Sequence, residues 1–324
     1  MDPRHWENVA FVKPFLQYTM DGHATSPANS SRLLIVDAHA YAYRAFYAIR
    51  QLSSPSGTPT NAIYGFIKMM TRMQTRLSPT HLAVVWDGGL CVERMKALPE
   101  YKAQRPPMPS DLEQQLEGIE RYLEAMNAAS FCRAGVEADD WIASLARQAA
   151  AAGFEVVVAS SDKDFMQLVC ARVGLLNPND KSEKIWTDRD VRAKTGVAPE
   201  QIVDWLSLIG DSVDNIPGVA GVGPKTAADL LNQFGFLDAL YARLDEVKSE
   251  KLRGSLRAAA ELTRRNRELI RLREDVAGLC ALEDLRVKTP TASSLQDLFA
   301  QWGVGGGPIA TRDSRRQDRR GLHL

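Results

Sequence analysis

Short apolar runs that end at or near an acid recur through the first half of this chain: LLIVD to Asp37, LAVVWD to Asp87 and EVVVASSD to Asp162. They predict strands over Leu33–Asp37, Leu82–Trp86 and Glu155–Ala159. Further strands are predicted over Phe131–Ala134 and Val173–Leu176, with a hairpin strand near Lys184–Trp186. Helical patterns fall between them. One spans His39–Arg50, and another Asn61–Leu77, with Ile63, Phe66, Ile67 and Met70 at helical spacing. Ser110–Asn127 carries acids in its first turn, and Ala138–Ala152 and a short Lys163–Val169 helix follow. This alternation predicts an α/β fold, a mostly parallel sheet flanked by helices. After Thr187 the strand pattern stops. The remainder predicts helices over Asp188–Thr195, Pro199–Ile209 and Thr226–Phe234, and an Arg-rich helical stretch over Lys251–Arg273.

The punctuation suggests four segments. Residues 1–31 read as a flexible extension, 32–186 as the α/β domain, 187–303 as a helical region and 304–324 as a disordered basic tail. Residues 88–109 are Pro-rich, basic and poorly periodic, and read as an excursion toward substrate.

Composition narrows the function classes. The chain has 324 residues and 45% hydrophobic content, enough for a real core. Lys plus Arg equals Asp plus Glu at 40 each, so no global basic signature marks a nucleic-acid binder. If the acids concentrate in one pocket, however, the remaining surface must be basic. Cys91, Cys132, Cys170 and Cys280 lack metal-ligand spacing and read as reduced thiols, which with the absence of a signal peptide or membrane-length apolar run points to the cytoplasm.

The acids supply the chemistry. Asp37, Asp87, Glu137, Asp139, Asp140, Asp162, Asp164, Asp211 and Asp214 fall at predicted strand ends or helix starts. In a parallel sheet the strand C-termini share one edge, where ligands bind. Each acid alone also reads as a helix cap or an acidic first turn. Together they repel one another unless neutralised, and oxygen ligands without Cys or His suit hard cations such as Mg²⁺ or Mn²⁺. A pair of such ions implies phosphodiester hydrolysis. His39, beside Asp37, reads as structural.

Two further motifs bear on substrate. Gly218-Val219-Ala220-Gly221-Val222-Gly223-Pro224-Lys225-Thr226 reads as a tight interhelical turn whose following helix start can hold a phosphate, or as a plain turn. It matches neither a Walker A loop nor GxGxxG. Tyr101-Lys102-Ala103-Gln104-Arg105, with Arg94 upstream, offers stacking and phosphate-clamping groups, or simply a solvated basic loop. The arginines at 264, 265, 267, 271 and 273 read as a solvated helix face.

With these residues assembled, the chain resembles the 5′-nuclease (flap endonuclease) family, in particular the 5′→3′ exonuclease domain of bacterial DNA polymerase I. The resemblance runs through LLIVDAHAYAYRAFYAI, TNAIYGFIKMM, VVWDGG, YKAQRPPMP, EADDWIASLA, SSDKDFMQL and GDSVDNIPGVAGVGPKTA, in order over roughly 32–240. It implies a PIN-like α/β domain, a helical region with a helix–three-turn–helix motif, and metal-dependent cleavage near 5′ ends and flap junctions in DNA replication or repair. By position it assigns Asp37, Asp87, Glu137, Asp139 and Asp140 to a first metal, and Asp162, Asp164, Asp211 and Asp214 to a second group. Lys102 and Arg105 would act on the scissile phosphate, catalytically with Asp37 and Asp139, and Tyr101 would stack on the terminal base. Arg44 and Arg94 fall at motif positions for DNA contact. Gly218, Gly221, Gly223, Lys225 and Thr226 would hold duplex, with K⁺ on the turn's carbonyls. The implied partner is DNA with a 5′ end or flap, or an RNA primer on DNA, bound by a monomeric, stand-alone nuclease. The excursion departs from the family pattern at Glu93 and Leu98, within the arch that handles single strands.

Two rival readings are a structure-specific DNA-binding protein without catalysis and a PIN-type ribonuclease. The full set of nine acids speaks against the first, and the glycine turn, suited to B-form backbone, against the second.

Overall fold

The computed structural model describes residues 31–304; the predicted extension and basic tail fall in 1–30 and 305–324, outside the described residues. Six strands form one sheet in the order β3-β2-β1-β4-β5-β6. They are β1 (Arg32–Asp37), β2 (His81–Trp86), β3 (Ala129–Cys132), β4 (Glu155–Ala159), β5 (Val173–Leu176) and β6 (Ile185–Trp186). The first five pair in parallel, and β6 closes the edge antiparallel to β5. The central strands are apolar at nearly every position because both faces are covered.

Register positions the site. Asp37 pairs with Val85 and Val36 with Ala159, so β1, β2 and β4 end side by side. One face of the sheet is covered by α1 (Ala38–Ala48), α2 (Asn61–Leu77) and α4 (Ser110–Ala125), where Val36, Val84, Phe66 and Ile119 share a core. On the other face α5 (Ala138–Ala151) joins Ile35 and Val158 to a core that continues into the helical region. That region contains α6 (Asp188–Thr195), α7 (Ile202–Ile209), α8 (Pro224–Phe234), α9 (Leu237–Ala242), α10 (Glu250–Ala258) and α11 (Ala260–Ile270). Leu206, Leu231 and Ile270 belong to the same core as Ile142 and Val158, so the helices are packed onto the sheet's own interior.

Four differences from the sequence expectation have physical causes. β3 begins two residues early, because the chain after Cys132 turns to bond Gly88 instead: Gly88 N–H donates to Val136 O at 3.1 Å and Gly135 N–H to Gly88 O at 2.8 Å. The 88–109 excursion contains a helix, α3 (Val92–Ala97), whose buried residue is Arg94 and therefore invisible to an apolar pattern. The Lys251–Arg273 stretch forms two helices that meet at Ala259. Finally, α12 (Ala292–Trp302) packs on α4: Leu295, Leu298 and Trp302 share a core with Ile119 and Tyr122.

The end of the sheet opposite the acids carries a buried, titratable histidine. His81 is buried, its Nδ1 lies 2.8 Å from Thr80 Oγ1, its Nε2 has no partner, and its ring meets Phe154 edge-on. Burial, with Arg286 nearby, holds the imidazole below its usual 6.5. Folding therefore favours the neutral ring, and this contribution is complete above the unfolded value and is lost as pH falls below it. The melting temperature of His81→Phe should change less than that of the parent between about pH 8 and about pH 5; parallel curves would contradict this.

Candidate metal centre

β1 delivers Asp37 directly into the start of α1. Its Oδ1 accepts the N-cap hydrogen bond from Ala40 N at 3.1 Å, and its Oδ2 accepts from the buried Ser160 hydroxyl at 2.7 Å. Burial pushes its carboxyl up to about 6, against those two hydrogen bonds and with help from Asp162 and Asp87. Asp87 follows β2. Its backbone N–H donates to His39 Nδ1 at 3.2 Å, so His39 holds the turn as a neutral ring, as its structural reading anticipated. The turn after β4 brings in Asp162 and Asp164. Asp162 caps the short 3-10 helix Lys163–Leu168 by accepting from Asp164 N at 2.8 Å.

Asp139 enters from the first turn of α5. Desolvation and the charges of Asp162, Asp37 and Asp164 raise its carboxyl well above the ordinary range, against the pull of Lys102. Asp162 and Asp164 are raised too, by desolvation first; the charges of Asp211 and Asp214 add to both, and that of Asp162 to Asp164. Asp211 and Asp214 lie in a tight loop after α7, closed by reciprocal backbone bonds between Asp211 and Ile216 at 2.7 Å. One oxygen from each of Asp164, Asp211 and Asp214 falls within a 4.8 Å cluster.

Seven acids from five segments thus share one pocket at the sheet's C-terminal edge. The other two acids expected at the metals, Glu137 and Asp140, face basic groups in this structure. Asp140 spends both oxygens on Arg94, at 2.7 and 2.8 Å, and accepts Arg273 N at 2.9 Å. Glu137 accepts from Lys102 Nζ at 2.8 Å, Arg94 and Tyr101 OH at 3.2 Å, and Cys91 N at 3.0 Å. Burial opposes its charge, but Lys102 and Arg94 outweigh that and hold it below the usual carboxylate range.

The same network corrects two expected DNA contacts. Arg94 is buried and also donates to Leu269 O at 2.9 Å and Arg271 O at 3.1 Å, so its fork is filled by protein. Tyr101 is 4% exposed, with its hydroxyl on Glu137, so its ring is not presented for stacking. Lys102 is buried against Glu137 with φ +57°, its backbone N–H donating to Asp214 O at 3.0 Å. Arg105 is half-exposed at the pocket mouth, 2.6 Å from Asp214 Oδ1. Arg44 is exposed on α1. Lys163, not singled out as a site residue from the sequence, neutralises Asp211 at 2.7 Å; Ser160, the buried donor to Asp37, sits in the quoted SSDKD stretch.

The donor set fits divalent cations. All the free ligands are carboxylate oxygens, as hard ions require. Asp164 Oδ1 is buried with no hydrogen-bond partner, and the pocket's acids outnumber Lys102, Arg105 and Lys163. Clustered, desolvated carboxylates of this kind need positive charge to stay ionised.

The glycine turn links α7 to α8. Gly210 adopts φ +78°, and a Cβ on Gly218 would lie 2.2 Å from Ile209 O, so only glycine lets the two backbone segments approach. Pro224 occupies the first position of α8 with Lys225 exposed beside it, leaving the first-turn N–H groups free of intrahelical partners. Gly218→Ala should cost about 1–3 kcal/mol in urea unfolding, because backbone must move; an unchanged midpoint would contradict the close approach.

Two family models match consecutive stretches. The 5′-3′ exonuclease N-terminal resolvase-like domain covers residues 32–196, and the 5′-3′ exonuclease C-terminal SAM fold covers 197–293. The chain belongs to the 5′-3′ exonuclease family. It is 37% identical over 264 residues to the 5′-3′ exonuclease of Aquifex aeolicus, across 82% of this chain and 89% of that one. It is 43% identical over 238 residues to DNA polymerase I of Pseudomonas aeruginosa, across 73% of this chain but only 26% of the polymerase. With Bacillus caldotenax DNA polymerase I it shares 37% identity and spans 31% of that protein's length. Among solved structures, the T5 5′-exonuclease with bound divalent zinc superposes with TM-score 0.62 at 26% identity, covering 74% of this chain and 89% of that one. The catalytic core of Rad2 in complex with DNA substrate shares the fold, with TM-score 0.58 at 15% identity over 86% of this chain and 91% of that one. This 5′-3′ exonuclease family member has a mostly parallel six-stranded sheet joined to a helical SAM-fold region, and among its described residues no helix is long and apolar enough to cross a membrane.

Proposed function

We propose that this chain is a metal-dependent 5′→3′ exonuclease and structure-specific 5′-flap endonuclease that hydrolyses DNA phosphodiesters with two divalent cations, Mg²⁺ or Mn²⁺. The observation that carries the reading is the convergence of Asp37, Asp139, Asp162 and Asp164, each with its carboxyl raised by desolvation and by its acidic neighbours, in a pocket closed by Asp211 and Asp214. Family membership, a similar exonuclease crystallised with divalent metal, and fold neighbours crystallised with DNA support it.

Asp37, Asp139, Asp162, Asp164, Asp211 and Asp214 would hold the cations, with Asp87 at the rim. Bound there, divalent cations supply activation of water and stabilisation of charge on the phosphate. Arg105, half-exposed beside Asp214, would receive the incoming phosphate as a fork, and Lys102 would add charge from behind Glu137. The turn Gly218 to Thr226, with Gly221, Gly223 and Lys225, would grip the duplex backbone through its N–H groups without reading bases, with K⁺ on its carbonyls. Arg44 would meet the strand outside the pocket. The protein would act as a cytoplasmic monomer in replication or repair, on DNA 5′ ends, flaps or RNA primers paired to DNA.

A 5′-labelled flap duplex incubated with Mg²⁺ or with EDTA tests this. Short 5′ products in Mg²⁺ alone are expected. Binding without any metal-dependent product would leave a DNA-binding module. Parallel RNA, DNA and hybrid substrates separate it from a ribonuclease, which would cut RNA best.

A further inference from the structure

Asn266 lies on α11, among the arginines of the Arg-rich run, and is completely buried. Its Nδ2 donates to Pro217 O at 2.7 Å and to Ser207 O at 3.1 Å. Those two carbonyls stand at the two feet of one loop. Ser207 sits near the end of α7, and Pro217 lies just past the Asp211–Ile216 closure. Between them run Asp211 and Asp214, and immediately afterwards comes Gly218, packed against Ile209 O. Asn266 Oδ1 has no partner, so the side chain is buried at a cost that only its two donated bonds offset.

The loop is tied at its far end as well. Lys102 N–H donates to Asp214 O at 3.0 Å and Asn215 Nδ2 to Glu100 O at 2.9 Å. Its acids therefore hang between the 100–105 segment and Lys163, which meets Asp211 at 2.7 Å, on one side and the buried Asn266 amide on the other. A hydroxyl or methyl at 266 cannot span both carbonyls. Without the amide, Ser207 O and Pro217 O lose these donors in a buried place, and the feet keep the Asp211–Ile216 bonds and the 2.8 Å bond from Val219 N–H to Leu208 O but lose the side-chain tie that sets their spacing.

We propose that Asn266 is a positioning residue for the metal centre: it clamps the loop that carries Asp211 and Asp214, and sets the spacing between that loop and the Gly218 turn. This rests on the nuclease reading only in assigning Asp211 and Asp214 to a metal. Groups that orient a metal's ligands typically govern affinity without touching the ion.

Calorimetric titration of Mn²⁺ alone into Asn266→Ser and the parent tests it without relying on cleavage. The variant should bind about 10- to 100-fold more weakly. Leu256→Ala, a fully buried core truncation on α10, serves as the destabilised comparison and should bind Mn²⁺ like the parent. Equal affinity in Asn266→Ser and the parent, or equal weakening in Leu256→Ala, would overturn the proposal. Should Asn266→Ser not fold, amide exchange of the metal-free parent decides: protection of Asp211 and Ile216 matching that of α11 supports the clamp, and rapid exchange refutes it. Normal Mn²⁺ binding by a parent that cleaves no flap would overturn the nuclease reading while leaving this one intact.

Discussion

Asp139→Asn should reduce Mg²⁺-dependent flap cleavage by more than about 100-fold, a loss beyond that of residues acting only through other ligands, and should also raise the melting temperature of the metal-free protein. Both effects follow from one geometry. Asp139 sits in the first turn of α5, facing Asp162, Asp37 and Asp164, with Lys102 as the opposing charge. Its carboxyl is raised well above its ordinary value, so the unfolded chain ionises more readily than the folded one. For such a group the folded state loses stability as pH rises from the unfolded value through the folded one, and at neutral pH that cost is present. The amide keeps the shape and removes the charge. Mg²⁺ should then raise the parent's melting temperature by mass action and the variant's by much less. A variant that cleaves at the parent's rate, or that melts lower without metal, would contradict the placement of Asp139 in the cation pocket.

Arg94→Met should be the most destabilising single change among these residues, by about 3–5 kcal/mol, the usual cost of removing one partner from a buried ion pair. Arg94 fills its guanidinium with Asp140, Glu137 and the carbonyls of Leu269 and Arg271, and its side chain is 6% exposed. Methionine approximates the stem and leaves Asp140 buried with only Arg273 N as a donor. The carbonyl contacts matter separately, because they hold the chain leaving α11 against α3 and α5. The double variant Arg94→Met/Asp140→Leu should recover a substantial part of the loss, since it removes both buried charges together. Urea unfolding of the two single variants and the double measures the coupling. Additive losses would show that the pair does not interact in the folded protein.

The strands that carry Asp37, Asp87 and Asp162 were legible because parallel strands covered on both faces are continuous apolar runs, and the acids at their ends break that pattern sharply. The glycine turn was legible because Gly218 and Pro224 answer to backbone geometry alone. Arg94 and Tyr101 read as surface groups for a common reason. A basic or aromatic residue in a Pro-rich excursion looks like a surface group, and only the three-dimensional proximity of α3, α5 and the chain after α11 turns it into an internal one. Glu137 and Asp140 differ from Asp139 by where the helix turns them, toward Arg94 and Lys102 in place of the other acids. Asn266 left no trace in the sequence, because a single buried amide that bonds two backbone carbonyls has no period, no motif and no charge. The break at Ala259 has no sequence signal, because alanine is a good helix former; Leu256 before it and Leu269 after it lie in the shared core.

Anomalous scattering from crystals soaked in Mn²⁺ tests the central claim most directly. The account predicts strong peaks confined to the pocket bounded by Asp37, Asp139, Asp162, Asp164, Asp211 and Asp214, and none beside Asp140. Peaks elsewhere on the molecule with that pocket devoid of signal would contradict it.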